Sequence, residues 1–205
     1  MGFYQEQLLP RLQNKVMDRK DMREVRIRVC SGLSGEIVEV GFGTGLNAPF
    51  YPAEVAKVAA VEPSELCMQI AQTRIASSPT TVELAGLTGE SLDLPSGTFD
   101  AALSTWTLCT IPNVAAALGE IHRVLKPGGT FRFVEHGHAP DGPTARWQGR
   151  IEPPWKRIAG GCHLTRRIPD LIEAAGFRVD KLDVYYMKGE PKPFGYTYEG
   201  VASKA

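Results

Sequence analysis

The chain has 205 residues, 43% hydrophobic and 22% charged, a composition typical of one globular domain with a sizeable core. Lysine plus arginine and aspartate plus glutamate both number 23, so overall charge gives no reason to expect a nucleic-acid partner. Four widely separated cysteines, with no CxxC pair or Cys/His cluster, argue against a zinc site. We expect a cytoplasmic protein without a metal site or a membrane span, and peripheral membrane association remains open.

Residues 1–30 are predicted to form an N-terminal helical arm. Residues 3–29 lack glycine, and Leu8, Leu12 and Val16 recur at four-residue steps, which predicts an amphipathic helix. The basic residues of the arm would also suit an RNA-facing or lipid-facing surface. Interspersed acids favour instead a lid that folds over the ligand.

Residues 31–136 alternate short apolar runs with helical patterns. Strands are predicted near residues 36–40, 58–63, 81–86, 99–105 and 129–136, and helices near 64–75 and 114–125. This alternation predicts an α/β fold, with a mostly parallel sheet and helices on both faces.

The last third changes character. Residues 137–164 are rich in proline, glycine, tryptophan, histidine and arginine, and are predicted to form an inserted cap segment over the site. Residues 165–205 are predicted to form a helix near 168–175 and two strands whose short connection indicates an antiparallel hairpin. All these parts belong to one predicted domain, residues 1–205.

A glycine-rich loop follows the first predicted strand. Gly41, Gly43 and Gly45 lie where ligands bind in parallel α/β sheets, beyond the carboxyl end of a strand at the switch point. The spacing differs from the dinucleotide fingerprint GxGxxG, because the third glycine comes one residue early. The loop therefore disfavours NAD.

One acid lies in or just after each of three successive predicted strands. Glu39 lies inside the first strand, Glu62 follows the second at the place of a ribose-binding acid, and Glu90 follows the third, where it could accept from an adenine amine with the Ser91 amide nearby. No lysine or arginine accompanies them for a phosphate. The set fits S-adenosylmethionine, which has ribose, adenine and an amino-acid group.

The segments "EVGFGTG", "AVEPS", "GESLDLPSGTFDAALST" and "EIHRVLKPGG" resemble the successive motifs of class I S-adenosylmethionine-dependent methyltransferases, in the group that includes the ubiquinone and menaquinone methylases. The resemblance implies a Rossmann-like seven-stranded sheet with an antiparallel last strand. It also implies S-adenosyl-L-methionine as methyl donor, S-adenosyl-L-homocysteine as product, and Pro63 and Thr105 among the cofactor-binding residues. One departure is Phe42, where many members have a small residue or cysteine, and we expect it to change only packing.

The cap segment resembles that of the methyltransferase-like thiol S-methyltransferases and their bacterial relatives. The residues that carry this resemblance are Glu135, His136, Trp147, Glu152, Pro153, Trp155, Lys156, Gly161, Cys162, Leu164, Thr165 and Arg166. It implies a small, fairly apolar acceptor with a thiol. Alternatives are O- or N-methylation of a quinone, phenol or phospholipid headgroup, and an S-adenosylmethionine-binding protein without turnover.

A thiol acceptor has a pKa of roughly 8.5 or below, so it needs only modest help from a base. His136 and His163 are the candidate bases, and Arg166 is a candidate stabiliser of thiolate charge. His136 also has a structural alternative as a hydrogen-bonded group at a strand end, and Arg166 as a residue that caps and solvates a helix start. Trp106, Trp147 and Trp155 either line the acceptor pocket or anchor the cap segment.

Overall fold

The computed structural model describes residues 2–205 and contains one seven-stranded sheet in the order β3-β2-β1-β4-β5-β7-β6. The strands are β1 (Gly35–Val40), β2 (Val55–Val61), β3 (Thr81–Gly86), β4 (Phe99–Thr105), β5 (Leu125–His136), β6 (Phe177–Tyr186) and β7 (Tyr196–Lys204). β7 is antiparallel to both of its neighbours, whereas β1 to β5 pair in parallel. The predicted fold class and the C-terminal hairpin are confirmed.

Seven α-helices accompany the sheet in the described part of the chain. They are α1 (Leu9–Val16), α2 (Lys20–Cys30), α3 (Glu65–Ser77), α4 (Val114–Val124), α5 (Gly142–Ile158), α6 (Ile168–Ala174) and α7 (Lys192–Gly195). A π-helical turn, Tyr4–Leu8, leads into α1, and a short 3-10 turn, Ala48–Phe50, follows the glycine loop.

Two apolar layers lie on the two faces of the sheet. On one face, Val38 and Val40 of β1 pack in a cluster that includes residues of α4 and α6. On the other face, Ile37 belongs to a cluster that includes residues of α2 and α3. Because successive side chains of a strand point to opposite faces, β1 contributes to both layers and is buried on both sides.

The arm is broken near residues 17–19, and its two helices differ in burial. In α2, Met22, Val25 and Val29 are buried against the sheet. In contrast, Leu12 is 53% exposed and Val16 is 42% exposed, so the stripe noted in the sequence is not a core-facing stripe. Over residues 2–205, no helix has the length and apolar character needed to cross a membrane.

The cap segment is more regular than its composition suggested. It contains the 17-residue helix α5, which begins with the side chain of Asp141 accepting a hydrogen bond from the Thr144 amide at 3.0 Å. Pro153 and Pro154 lie inside this helix. α5 contacts α7, so the cap segment is tied to the turn that joins β6 and β7.

Candidate active site

The glycine loop turns sharply at the carboxyl end of β1. Gly41 has φ +81°, and a Cβ built there would lie 2.0 Å from Thr107 Oγ1, so this position requires glycine for both conformation and space. Gly43 has φ +58°, but its Cβ position meets no atom closer than 3.9 Å. The space beside Gly43 is therefore where a ligand can approach the loop backbone.

The Glu62 carboxylate, 7% exposed at the end of β2, fixes this loop. One oxygen accepts from the Gly43 amide at 2.8 Å, and the other accepts from the Ser64 amide at 2.8 Å. Burial raises the pKa of this carboxyl. Since each carboxylate oxygen can accept more than one hydrogen bond, both keep capacity for donors on a ligand.

Glu39 is fully buried beneath the loop. Its carboxylate accepts from Asn47 Nδ2 at 2.8 Å and from the Tyr51 hydroxyl, rather than from loop amides. Burial raises the pKa of Glu39 to about 7. The carboxyl therefore keeps its proton to a higher pH than an exposed glutamate does.

Sequence reasoning missed Arg26, which is 4% exposed and lies beside Glu39. Its Nη1 donates to Asn47 Oδ1 at 2.7 Å and to Thr105 Oγ1 at 3.1 Å. The arm was interpreted as a solvated helix that folds over the ligand as a lid, with no buried basic residue. A signal was present nevertheless, because Arg26 shares helical spacing with the buried Met22 and Val29 and so occupies the apolar face of α2.

The remaining predicted cofactor residues differ in exposure. Thr105 is 8% exposed at the end of β4, in the network with Arg26. Glu90 accepts a hydrogen bond from the amide of Asn113, the residue before α4, at 2.5 Å. Pro63 and Ser91 are exposed at the ends of β2 and β3. The structure thus leaves this side of the candidate site open to solvent.

The loop after β4 is organised by Glu135, which is fully buried near the end of β5. Its carboxylate accepts hydrogen bonds from the amides of Thr107, Leu108 and Cys109, at 2.9, 3.0 and 3.2 Å respectively. Burial raises the pKa of Glu135 to about 7. Its role in the structure is to hold the post-β4 loop against the sheet.

His136 ends β5 beside this loop. Its ring meets Trp106 in an edge contact with the centroids 6.5 Å apart, and its Nδ1 is buried without a partner. Burial lowers the pKa of His136 to about 4, so the imidazole is neutral at physiological pH. This value favours a hydrogen-bonding role over proton abstraction from a thiol.

Glu152 of α5 ties down the end of the cap segment. One of its oxygens accepts from the Leu164 amide at 2.8 Å, and from the amide and the hydroxyl of Thr165 at 2.8 and 2.7 Å. The other oxygen lies 3.2 Å from His163 Nδ1. Burial lowers the pKa of His163, and Arg166 and Lys156 lower it further, while Glu152 opposes them.

Arg166 connects the same region to the post-β4 loop. Its guanidinium donates to the carbonyl oxygens of Leu108 and Pro112. The His163 amide donates to the Cys109 carbonyl oxygen at 2.8 Å, so His163 and Arg166 both contact this loop, whereas His136 approaches it through Trp106. The three candidate catalytic residues therefore surround one loop without hydrogen-bonding to one another.

The three tryptophans have different environments. Trp155 stacks on Phe194 of α7 with ring centroids 4.4 Å apart, and so anchors the cap segment. Trp147 is 57% exposed on the outside of α5. Only Trp106 lies beside the candidate site.

The arm lies across the site. The Thr44 hydroxyl of the glycine loop donates to Asn14 Oδ1 at 2.8 Å, and the Tyr4 hydroxyl donates to the carbonyl oxygen of Ile158, the last residue of α5, at 2.7 Å. The arm thus contacts both the glycine loop and the cap segment.

The family model and the known proteins that follow are all methyltransferases by description. A family model described as "Methyltransferase domain" matches residues 38–133. Thiol S-methyltransferase TMT1B of Rattus norvegicus is 34% identical over 196 residues, which cover 91% of this chain and 77% of that protein. The demethylmenaquinone methyltransferase of Symbiobacterium thermophilum is 36% identical over 104 residues, 48% of this chain and 41% of that protein. A solved SAM-dependent methyltransferase from Aquifex aeolicus has a TM-score of 0.67 at 20% identity, covering 96% of this chain and 98% of that one.

Proposed function

The chain belongs to the S-adenosylmethionine-dependent methyltransferases, and on that premise we propose that it methylates the sulfur of a small, fairly apolar thiol. The observation that carries this proposal is the extent of the similarity to a thiol S-methyltransferase. That similarity covers 91% of the chain and so extends well beyond the family model, which matches residues 38–133.

The residues at the sheet edge fit the proposed methyl donor. Gly43 leaves space for a ligand, Glu62 keeps hydrogen-bonding capacity for ribose hydroxyls, and Glu39 can balance an ammonium group. When bound, S-adenosylmethionine supplies an activated methyl group on a sulfonium. The residues proposed to hold it are Glu39, Gly41, Gly43, Gly45, Glu62, Pro63, Glu90, Ser91 and Thr105.

The protein would then contribute mainly orientation and exclusion of water, because the donor is already activated. We assign proton removal from the thiol to His163, which has Glu152 as a partner at 3.2 Å. His136, with its pKa near 4, would orient the acceptor as a neutral group. Arg166, which contacts the same post-β4 loop as His163, would stabilise the developing thiolate.

A second candidate function is O- or N-methylation of a quinone, phenol or phospholipid headgroup. The match to a demethylmenaquinone methyltransferase supports it. That match covers 48% of this chain, about half the share of the thiol S-methyltransferase match, so we place it second. A protein that binds S-adenosylmethionine without turnover is the remaining alternative.

The experiment measures S-adenosylhomocysteine formation by the purified protein with S-adenosylmethionine and a panel of small thiols, each paired with its oxygen analogue. Turnover of thiols with no turnover of the analogues is the expected result. Turnover confined to phenols, quinones or amines would replace the thiol assignment. Tight cofactor binding without transfer to any acceptor would support the binding-protein alternative.

A further inference from the structure

Two cysteines from distant parts of the chain meet where the cap segment contacts the post-β4 loop. Cys109 follows β4 and Cys162 follows α5, and their sulfur atoms are 3.5 Å apart. The other two cysteines of the chain lie in α2 and α3. Both thiols of the pair are free. The contact therefore joins two segments of the candidate site through a group that an oxidant can change.

The backbone around both cysteines brings the two sulfurs together. Gly161 has φ +88°, and a Cβ built there would lie 3.3 Å from the Thr110 carbonyl oxygen, so glycine lets the chain pass close to the post-β4 loop. The next amide after Cys162, that of His163, donates to the Cys109 carbonyl oxygen at 2.8 Å. The approach of the two thiols is thus supported by main-chain contacts between the same two segments.

The two thiols differ in acidity and in exposure. The adjacent Cys109 thiol holds the pKa of Cys162 below its usual range, although burial raises it. The same contact, together with burial, raises the pKa of Cys109. Cys162 is also the more exposed of the two, at 6% against 2%. Because the thiolate is the nucleophile, Cys162 is the sulfur that attacks an oxidant first, and Cys109 attacks second.

The pair lies among the candidate catalytic residues. His163 is the chain neighbour of Cys162, and Arg166 donates to the carbonyl oxygen of Leu108, the chain neighbour of Cys109. A disulfide has an S–S length of about 2.05 Å, so its formation brings the sulfurs closer by about 1.5 Å. Since a misplacement of about 1 Å can cost about 10²-fold in rate, this approach is large enough to slow methyl transfer.

We propose that Cys109 and Cys162 form a redox switch, in which hydrogen peroxide joins the two thiols in a disulfide and slows methyl transfer without weakening binding of the methyl donor. First, the Cys162 sulfur takes an oxygen from the peroxide, which forms a sulfenic acid and releases water. The Cys109 sulfur then attacks that sulfur, which forms the S–S bond and releases a second water. In total, the two thiols lose two electrons and two protons, and the peroxide is reduced to two water molecules.

The experiment compares the reduced protein with protein that has been treated with hydrogen peroxide and desalted. The intact mass of the oxidised protein should be lower by two hydrogens. Initial rates are measured with whichever acceptor of the thiol and oxygen-analogue panel is turned over, and kcat should fall at least about tenfold. S-adenosylhomocysteine affinity, measured by calorimetry, should stay within about threefold.

A water-soluble phosphine reduces the disulfide and should restore the rate. A disulfide that leaves kcat unchanged would overturn the switch. Parallel losses of kcat and S-adenosylhomocysteine affinity would overturn it as well, because the effect would then not be confined to the acceptor side.

Three single variants assign the effect to this pair. Cys109→Ala and Cys162→Ala should each keep their rate after the same peroxide treatment, because one thiol cannot form the disulfide. Cys67→Ala is the matched control: Cys67 is another buried thiol, on α3, and this variant should lose rate as wild type does. Loss of rate in both variants of the pair would overturn the switch. Each comparison uses two forms of one preparation, so a smaller folded fraction does not change the ratio.

Hydrogen exchange separates failure of the switch from failure of the proposed function, on which only the effect on rate rests. In the oxidised protein, peptides that contain the Cys109 and His163 amides should exchange faster, because the approach of the sulfurs pulls on the hydrogen bonds of these amides. Peptides from β1 to β3 should exchange at the same rate in both forms. Identical exchange throughout, or no disulfide after treatment, would overturn the switch. Absence of turnover with every acceptor, combined with faster exchange at these two amides, would overturn only the proposed function.

Discussion

The sulfur atoms of Cys109 and Cys162 lie 3.5 Å apart where the post-β4 loop meets the end of the cap segment. Both thiols are buried, and the neighbouring His163 amide donates to the Cys109 carbonyl oxygen. A disulfide has an S–S length of about 2.05 Å, so a small approach of the two sulfurs suffices for bonding. A thiol oxidant can therefore test whether the cap segment and the post-β4 loop meet at these two cysteines.

We predict that a mild thiol oxidant joins Cys109 to Cys162 within one chain. Non-reducing peptide mapping by mass spectrometry should recover this linked pair while Cys30 and Cys67, which are buried elsewhere, stay free. Recovery of a different pair, or complete resistance of the first pair under conditions that oxidise unfolded protein, would contradict the observed packing.

Gly43→Ala should weaken cofactor binding more than it weakens the fold. The new methyl group meets no protein atom closer than 3.9 Å, so its stability cost is mainly that of a left-handed backbone, about 1–2 kcal/mol. It enters the space assigned to the ligand, and we expect S-adenosylhomocysteine affinity to fall at least about tenfold, which corresponds to about 1.4 kcal/mol of binding free energy.

Gly41→Ala provides the contrast. Its Cβ would lie 2.0 Å from Thr107 Oγ1, so this variant should lose much more stability than Gly43→Ala in thermal unfolding. Equal ligand affinities for wild type and Gly43→Ala would show that the ligand does not approach the loop here.

Glu62→Gln should reduce S-adenosylhomocysteine affinity by about 10- to 100-fold, because a charged acceptor in a buried hydrogen bond contributes roughly 1.5–3 kcal/mol. The Gly43 and Ser64 amides donate to different oxygens of Glu62, and in the carboxamide an NH2 group, which cannot accept, replaces one of those oxygens. Glu65→Gln is the matched control, since Glu65 is exposed on the adjacent turn of α3. Unchanged affinity in Glu62→Gln would show that the ribose does not bind at Glu62.

Much of the cofactor half of the molecule was predictable from local sequence. The strands predicted at residues 81–86 and 99–105 are β3 and β4. Short apolar runs between turn residues, whether alternating or continuous, are typical of strands. The family assignment and the fold class are confirmed as well. The roles assigned to individual site residues stay predictions.

The missed features depend on contacts between distant segments. Arg26 reaches Asn47 and Thr105 only after α2 packs on the sheet, so no local pattern names its partners. The helix α5 lies in the cap segment, whose prolines and glycines lower helix propensity, and its packing against α7 overrides that preference. The spacing of the stripe that includes Leu12 predicted a helix, but it could not indicate whether the stripe would face the core or the solvent, and the stripe is exposed.

Glu39 should make the stability of the ligand-free protein depend on pH. Its pKa is about 7 in the folded state and ordinarily 4.5, so the folded state binds more protons between these values. Stability contributed at this group is therefore lost as pH rises through that window. At about 1.4 kcal/mol per unit, the loss approaches about 3 kcal/mol.

Urea unfolding of wild type and Glu39→Gln at pH 5 and pH 8 measures this effect. Relative to the variant, the wild type should lose about 2–3 kcal/mol of unfolding free energy between the two pH values. His136 acts with the opposite sign, because its lowered pKa favours folding as pH rises, but both proteins carry it and the difference removes it. A difference that is constant with pH would mean that Glu39 is already ionised in the folded protein.

Arg166→Ala should abolish most methyl transfer while leaving cofactor affinity within about threefold. The guanidinium holds the post-β4 loop through the Leu108 and Pro112 carbonyl oxygens, and we propose that it also stabilises the thiolate of the acceptor. A loss of one charge-assisted interaction at a developing thiolate is expected to lower kcat by about 10²- to 10³-fold. Turnover kinetics and S-adenosylhomocysteine titration measure the two quantities separately.

Arg167→Ala is the matched control for this variant. Arg167 is the next residue in the chain, its side chain is 65% exposed, and its 4.0 Å pairing with Asp170 is a surface contact of small energetic value. It should retain both turnover and affinity. If Arg166→Ala instead loses cofactor affinity in parallel with kcat, its role is to keep the post-β4 loop in place for the donor, and charge stabilisation at the acceptor must come from another residue.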